Sequence, residues 1–93
     1  MGLSCYRLWI SGKVQGVWFR HSTHLQAQAI GDLTGWVRNL PDGRVEVLVA
    51  GETAKVQALV DWCHQGPPTA QVEHVDLREE DPPQIDVPFQ VRV

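Results

Sequence analysis

The sequence predicts an α+β domain with two helices on one face of an antiparallel sheet. Three observations predict it. Short runs of alternating apolar residues, bounded by Gly and Pro, read as strands. Two segments carry apolar residues at helical spacing. The order of these segments is βαββαβ plus a short C-terminal strand. A chain of 93 residues holds one small core and leaves no room for a second, so 1–93 is expected to be a single domain.

The first strand is expected from about Cys5 to Val14, with Tyr6, Leu8 and Ile10 on one face and Cys5, Arg7 and Trp9 on the other. A helix follows from about His21 to Ile30. Leu25 and Ala29 give its i, i+4 spacing, and Gly31 is placed to end it in a left-handed conformation. Strand two spans about Gly35 to Leu40. Pro41-Asp42-Gly43 then turns the chain into strand three, Arg44 to Ala50, where Val45, Val47 and Val49 share a face. The second helix carries Val56, Leu59, Val60 and Cys63 at i, i+3, i+4 and i+7. Gly51 is its expected N-cap, Glu52 complements its dipole, and Gly66-Pro67-Pro68 stops it. Strand four lies near Gln71 to Leu77. The last strand, Val87 to Val93, alternates Val87, Phe89, Val91 and Val93, and Pro88 confines it to an edge. This order is that of a ferredoxin-like split βαβ arrangement.

At 43% hydrophobic and 20% charged residues the chain reads as globular. No run reaches the length of a membrane span, and no basic segment followed by an apolar one opens the chain. A cytoplasmic protein with no membrane partner is expected. The net charge of −3 hides an asymmetry: residues 1–45 carry five Lys/Arg against two Asp/Glu, and residues 46–93 carry three against nine. Lys13, Arg20, Arg38 and Arg44 are expected near one anion site, favouring a small anionic partner. The acidic second half, with Glu79-Glu80-Asp81 read as a solvated loop, argues against a nucleic-acid surface. Cys5 and Cys63 lack zinc-site spacing, and the sheet is expected to separate their sulfurs.

Chemistry concentrates in Val14-Gln15-Gly16-Val17-Trp18-Phe19-Arg20, a strand-to-helix turn. Gly16 permits a tight turn and close approach to the backbone. Amides turned inward at a helix N-terminus cradle an anion, and Arg20 adds a planar, permanently charged fork suited to phosphate oxygens. Further on come Gly35-Trp36-Val37-Arg38-Asn39 and Asp42-Gly43-Arg44-Val45-Glu46.

The ordered set Gly12-x-Val14-Gln15-Gly16-Val17-x-Phe19-Arg20, Thr23, Ala27, Gly-Trp-Val-x-Asn and Asp-Gly-x-Val-Glu resembles the acylphosphatase family from about Cys5 to Gly51, with a weaker continuation to Val93. The resemblance implies the same βαββαβ fold and hydrolysis of acyl phosphates to a carboxylate and inorganic phosphate. It implies that the amides of Gln15, Gly16, Val17, Trp18, Phe19 and Arg20, with the Arg20 guanidinium, bind the phosphate, and that Asn39 holds the attacking water. Thr23 supports the loop. No metal or other cofactor is implied, and inorganic phosphate is expected as product and inhibitor. The family pattern Gly-Leu-x-Gly-Trp is here Gly31-Asp32-Leu33-Thr34-Gly35-Trp36, so Asp32 reads as a one-residue insertion. A loop that absorbs it keeps Asn39 opposite Arg20; a strand shifted by one would turn Asn39 away. The intact Gly-Trp-Val-x-Asn block favours the loop.

Other readings are weaker. His21 and His24 lie at i, i+3 without a carboxylate or Cys at matching spacing for a metal. Trp9, Trp18, Trp36 and Trp62 are expected in core or loop packing, because the aromatic signature and basic face of RNA-binding sheets are missing. A non-enzymatic anion-binding module of the same fold would lack the Arg or the Asn, and both are present. Nothing reads as a dedicated acyl pocket.

Overall fold

Alternation in the first strand is regular enough to sort residues between two different environments. In the computed structural model, which describes residues 2–81 and 88–92, β1 (Leu3–Lys13), α1 (Phe19–Ile30), β2 (Thr34–Asn39), β3 (Val45–Glu52), α2 (Thr53–Cys63), β4 (Gln71–Glu79) and β5 (Gln90–Val91) follow in that order. The sheet order is β4-β1-β3-β2-β5. Pairings β1–β3, β1–β4 and β2–β3 are antiparallel, whereas β5 joins β2 in parallel. The expected antiparallel sheet is thus formed by β4, β1, β3 and β2, and the short β5 makes it mixed. The edge position of β5 agrees with Pro88, which forms an isolated bridge to Thr34. Of its expected stripe, Phe89 is buried and Val91 is exposed; Val87 and Val93 lie outside the described residues.

Leu8, Ile10, Val37, Val45, Val47 and Val49 form one core with Phe19 and Ala27 of α1 and Val56, Leu59, Val60 and Cys63 of α2. Both helices thus cover one sheet face. Cys5, Trp36, Leu48 and Ala50 cluster separately, so the sheet does divide the two thiols, and both cysteines are free. Burial pushes the Cys63 thiol up to about 12.

Several local expectations change. Helix α1 begins two residues earlier than read, and its buried stripe is Phe19, Thr23 and Ala27; Leu25 is exposed. The early start makes Phe19 the anchor, and the buried Thr23 hydroxyl is satisfied by donating to the Phe19 carbonyl at 2.7 Å. Gly31 has positive φ, but its ψ of 154° is extended rather than left-handed helical. Strand β3 runs on through Gly51, so Glu52 rather than Gly51 occupies the N-cap position of α2.

The open face is charged rather than bare. Glu46 is buried and accepts Arg7 at 2.9 Å and Arg38 at 2.7 Å. The guanidinium groups of Arg38 and Arg92 stand over the Trp36 ring, at 4.8 and 5.0 Å from its centroid. Glu79 belongs to β4, and Glu80 accepts Arg7 Nε at 2.6 Å and Arg78 Nη2 at 3.0 Å. The acidic run is thus partly a bridge, not a solvated loop.

Gly35 fixes where β2 pairs. A Cβ there would fall against the Leu48 carbonyl oxygen, and its φ is +126°. Ahead of it, Asp32 takes a φ of 57°, and its carboxylate accepts Lys55 Nζ at 2.6 Å.

Hydrogen bonds from Arg7, then Arg78, hold the Glu80 carboxyl below its ordinary range. A carboxylate whose folded value is depressed stabilises fully above its unfolded value and loses that contribution as pH falls through the folded one. Stability is therefore expected to decline on acidification below about pH 4.5, and Glu80→Gln is expected to flatten that decline. Thermal unfolding across the window checks this; parallel pH profiles for the two proteins would contradict it.

Candidate active site

Strands β1 and β2 both run antiparallel to β3, so they point the same way, about 10 Å apart across it. β5, parallel to β2, points that way too. Three C-terminal strand ends therefore meet at one end of the sheet. They carry the turn after Lys13, the Asn39 side chain, and Val91 with Arg92.

A cavity of about 550 Å³ opens there, lined by Val14, Gly16, Trp18, Phe19, Arg20, His21, Asn39 and Val91. In β2, Val37 is buried in the core on the helix side and Trp36 clusters on the other face. Asn39 shares the parity of Val37, so it reaches the cavity while Arg38 goes to the open face. Asn39 is therefore not turned away from Arg20.

The turn itself has alternating hand. Gly16 has φ 72° and Trp18 φ 66°, with Val17 between them; such alternation turns successive N–H groups toward one side and makes an anion-binding hollow. A Cβ on Gly16 would meet nothing within 4 Å, so this side of the turn is open to a ligand. The first bond of α1 runs from Ser22 N–H to the Trp18 carbonyl at 2.9 Å. The N–H groups of Phe19, Arg20 and His21 therefore precede the helical ladder and carry the positive end of the helix dipole. Arg20 Nη1 donates to the Arg92 carbonyl at 3.2 Å, which draws the guanidinium toward β5.

Three contacts hold the turn. The Gln15 carboxamide donates to the Leu40 carbonyl at 2.8 Å and the Arg44 carbonyl at 2.9 Å, spanning the β2–β3 hairpin. The Thr69 hydroxyl donates to the Val17 carbonyl at 2.7 Å. Phe19 packs on Trp62 at 5.7 Å between ring centroids. Sequence reading assigned Gln15 only an amide role and passed over Thr69. No local signal marks Thr69; its partner is 52 residues away.

The expected gathering of four cations does not occur. Among the described residues lining the cavity only Arg20 is a Lys or Arg. Arg38 pairs with Glu46 on the open face, Arg44 pairs with Asp42 in the hairpin turn, and Lys13 is exposed at the end of β1. Thr23 lies behind the turn, fully buried against it. His21 borders the cavity, and His24, half-buried one turn on, does not line it.

The family model described as acylphosphatase matches residues 6–91. An acylphosphatase of Acaryochloris marina is 57% identical over 76 residues, 82% of this chain and 81% of that protein. One from Nitrosococcus oceani is 50% identical over 97% of this chain and 99% of its own length. The solved structure of an acylphosphatase from Coxiella burnetii superposes with a TM-score of 0.89 at 40% identity, covering 97% of this chain and 93% of that one. The chain belongs to the acylphosphatase family. As an acylphosphatase it hydrolyses the carboxyl–phosphate anhydride of acyl phosphates, and its fold is that of the family's solved structures.

The Gln15 clamp joins the turn of this acylphosphatase to the hairpin bearing Asn39. Gln15→Met keeps the side chain's length and loses both bonds. Stability is expected to drop by about 1 kcal/mol in urea unfolding, and turnover of an acyl phosphate to drop with it. Full stability and full turnover in the variant would show that the clamp holds nothing.

Proposed function

We propose that residues 1–93 act as one catalytic domain in which the amides of Gln15 to Arg20 and the Arg20 guanidinium hold the phosphoryl group, while the Asn39 carboxamide aims the attacking water. The supporting observation is that the turn, Arg20 and Asn39 line a single cavity. Thr23, buried beneath the turn and bonded to the Phe19 carbonyl, supports it without touching substrate.

The chemistry asks for little more. The leaving group of an acyl phosphate is a carboxylate, whose conjugate acid has a pKa of about 4, so it departs unprotonated and needs no general acid. Catalysis reduces to positioning and charge neutralisation. Water attacks phosphorus, the P–O bond to the acyl group breaks, and the phosphoryl oxygens take up the water's proton. The products are the carboxylate and inorganic phosphate. The same cradle fits the product, so inorganic phosphate inhibits competitively. No metal or cofactor takes part, and neither nucleic acid nor membrane is a partner. No helix among the described residues is long and apolar enough to cross a membrane, and the work is assigned to the cytoplasm.

Hydrolysis of benzoyl phosphate in the presence of chelator, beside an alkyl phosphate monoester, tests the reading. Acyl phosphate turnover should survive the chelator and the monoester should remain largely intact; the reverse pattern would defeat the mechanism. Arg20→Gln should remove phosphate binding and turnover with the fold preserved, since the side chain's one described contact is an exposed bond to a carbonyl. Phosphate titrated against both proteins decides this, and equal affinity would put the anion elsewhere. Asn39→Ala separates the two functions: phosphate affinity should change little while turnover drops ~10²–10³-fold, the usual worth of one catalytic hydrogen-bonding group. Near-normal turnover would take Asn39 out of the mechanism.

A further inference from the structure

Trp18 is unlike the other tryptophans. Trp36 is buried under three arginines, Trp9 is capped by Arg78, and Trp62 packs on Phe19. Trp18 leaves 74% of its surface exposed, which corrects the expectation that all four pack. It also sits at φ 66°, a conformation that glycine or asparagine adopts with less strain than a bulky aromatic. Neither core burial nor backbone preference accounts for an indole at this position. Such outliers belong to sites where the side chain has other work.

Its surroundings indicate that work. The cavity has a polar side, made by Gly16, Arg20 and Asn39, and an apolar rim. The rim is Trp18 with Val91, itself 40% exposed. His21 stands against the indole in a T-shaped arrangement, with ring centroids 6.3 Å apart and planes at 71°, while most of the indole surface stays exposed to a second ring. An acyl phosphate has the same polarity: a charged phosphoryl end joined through one oxygen to an acyl group. With the phosphoryl group in the turn, the acyl group leaves the polar side toward the rim.

We propose that Trp18 and Val91, with His21 bracing the indole, form an acyl-group subsite that selects aromatic acyl phosphates over acetyl-sized ones. This rests on the proposed phosphate cradle. An aromatic ring offset-stacked on the indole gains contact that a methyl group cannot make, and Val91 closes the other side. The preference is read at the acyl end alone, so it is independent of how tightly phosphate itself is held.

Binding of three non-hydrolysable probes by calorimetry tests it: inorganic phosphate, acetylphosphonate and benzoylphosphonate. The wild type should bind benzoylphosphonate on the order of tenfold more tightly than acetylphosphonate. Trp18→Ala keeps a non-glycine residue at the same φ, so backbone strain is retained; the ratio should fall toward one, whatever loss both ligands share. Trp18→Phe should retain most of the preference, and Val91→Ser should narrow it. A wild-type ratio near one, or a ratio kept in Trp18→Ala, would overturn the subsite and leave the indole as a surface for another protein. Failure of inorganic phosphate to bind the wild type would instead overturn the cradle, and the subsite with it.

Discussion

An anion hollow made of main-chain N–H groups works only if the chain cannot relax out of it. The turn at 15–18 has positive φ at Gly16 and Trp18 and no strand or helix ladder of its own. A Trp held there costs about 1–2 kcal/mol relative to an ordinary backbone conformation. Something must hold it from outside, and three elements do so. The Gln15 carboxamide reaches two carbonyls of the hairpin, Thr69 reaches the Val17 carbonyl, and Phe19 is locked against Trp62. Much of the remaining fold can be understood as the frame for those three contacts.

Topology explains why so few side chains meet. A split βαβ order places β1 and β2 on either side of β3 and in the same direction. The turn after β1 and the last residue of β2 then reach the same end of the sheet without any long loop. The charged residues of the open face serve stability instead. Glu46 is shared by Arg7 and Arg38, and both guanidinium groups also stand over the buried Trp36 ring. This lattice also removes Arg38 from the cavity, leaving Arg20 the one guanidinium among the described residues that line it. A single fixed cation beside oriented amides is a weaker long-range attractor than four would be, but a more directional one.

Elements whose order follows local pattern were legible. The Val56, Leu59, Val60 and Cys63 stripe, the alternation of β1, and the Pro41-Asp42-Gly43 turn each specify their structure within a few residues. What was not legible depends on partners far along the chain. Leu25 has the right spacing for a core stripe, yet it points outward because Phe19 begins the helix earlier and takes the core position. The parallel pairing of β5 is decided by the edge that β2 leaves open, not by residues 90–91 themselves. Arg20 and Asn39 stood out because they lie in ordered motifs. The Thr69 contact and the lone exposure of Trp18 did not, since each is defined by what is, or is not, packed against it.

The division between backbone and side chain bears on how such a site can vary. On the proposed mechanism the phosphoryl end is read mostly by amides, which every residue but proline supplies, and by one guanidinium. Substitutions within the turn therefore act on its shape before they act on its chemistry. The proposed acyl subsite, by contrast, is made of side chains at the rim: Trp18, His21 and Val91. These three are exposed, so replacing them disturbs little of the core. On the two proposals together, phosphate affinity and acyl preference would be carried by physically separate atoms of the same short turn, the main chain of Trp18 serving one and its indole the other.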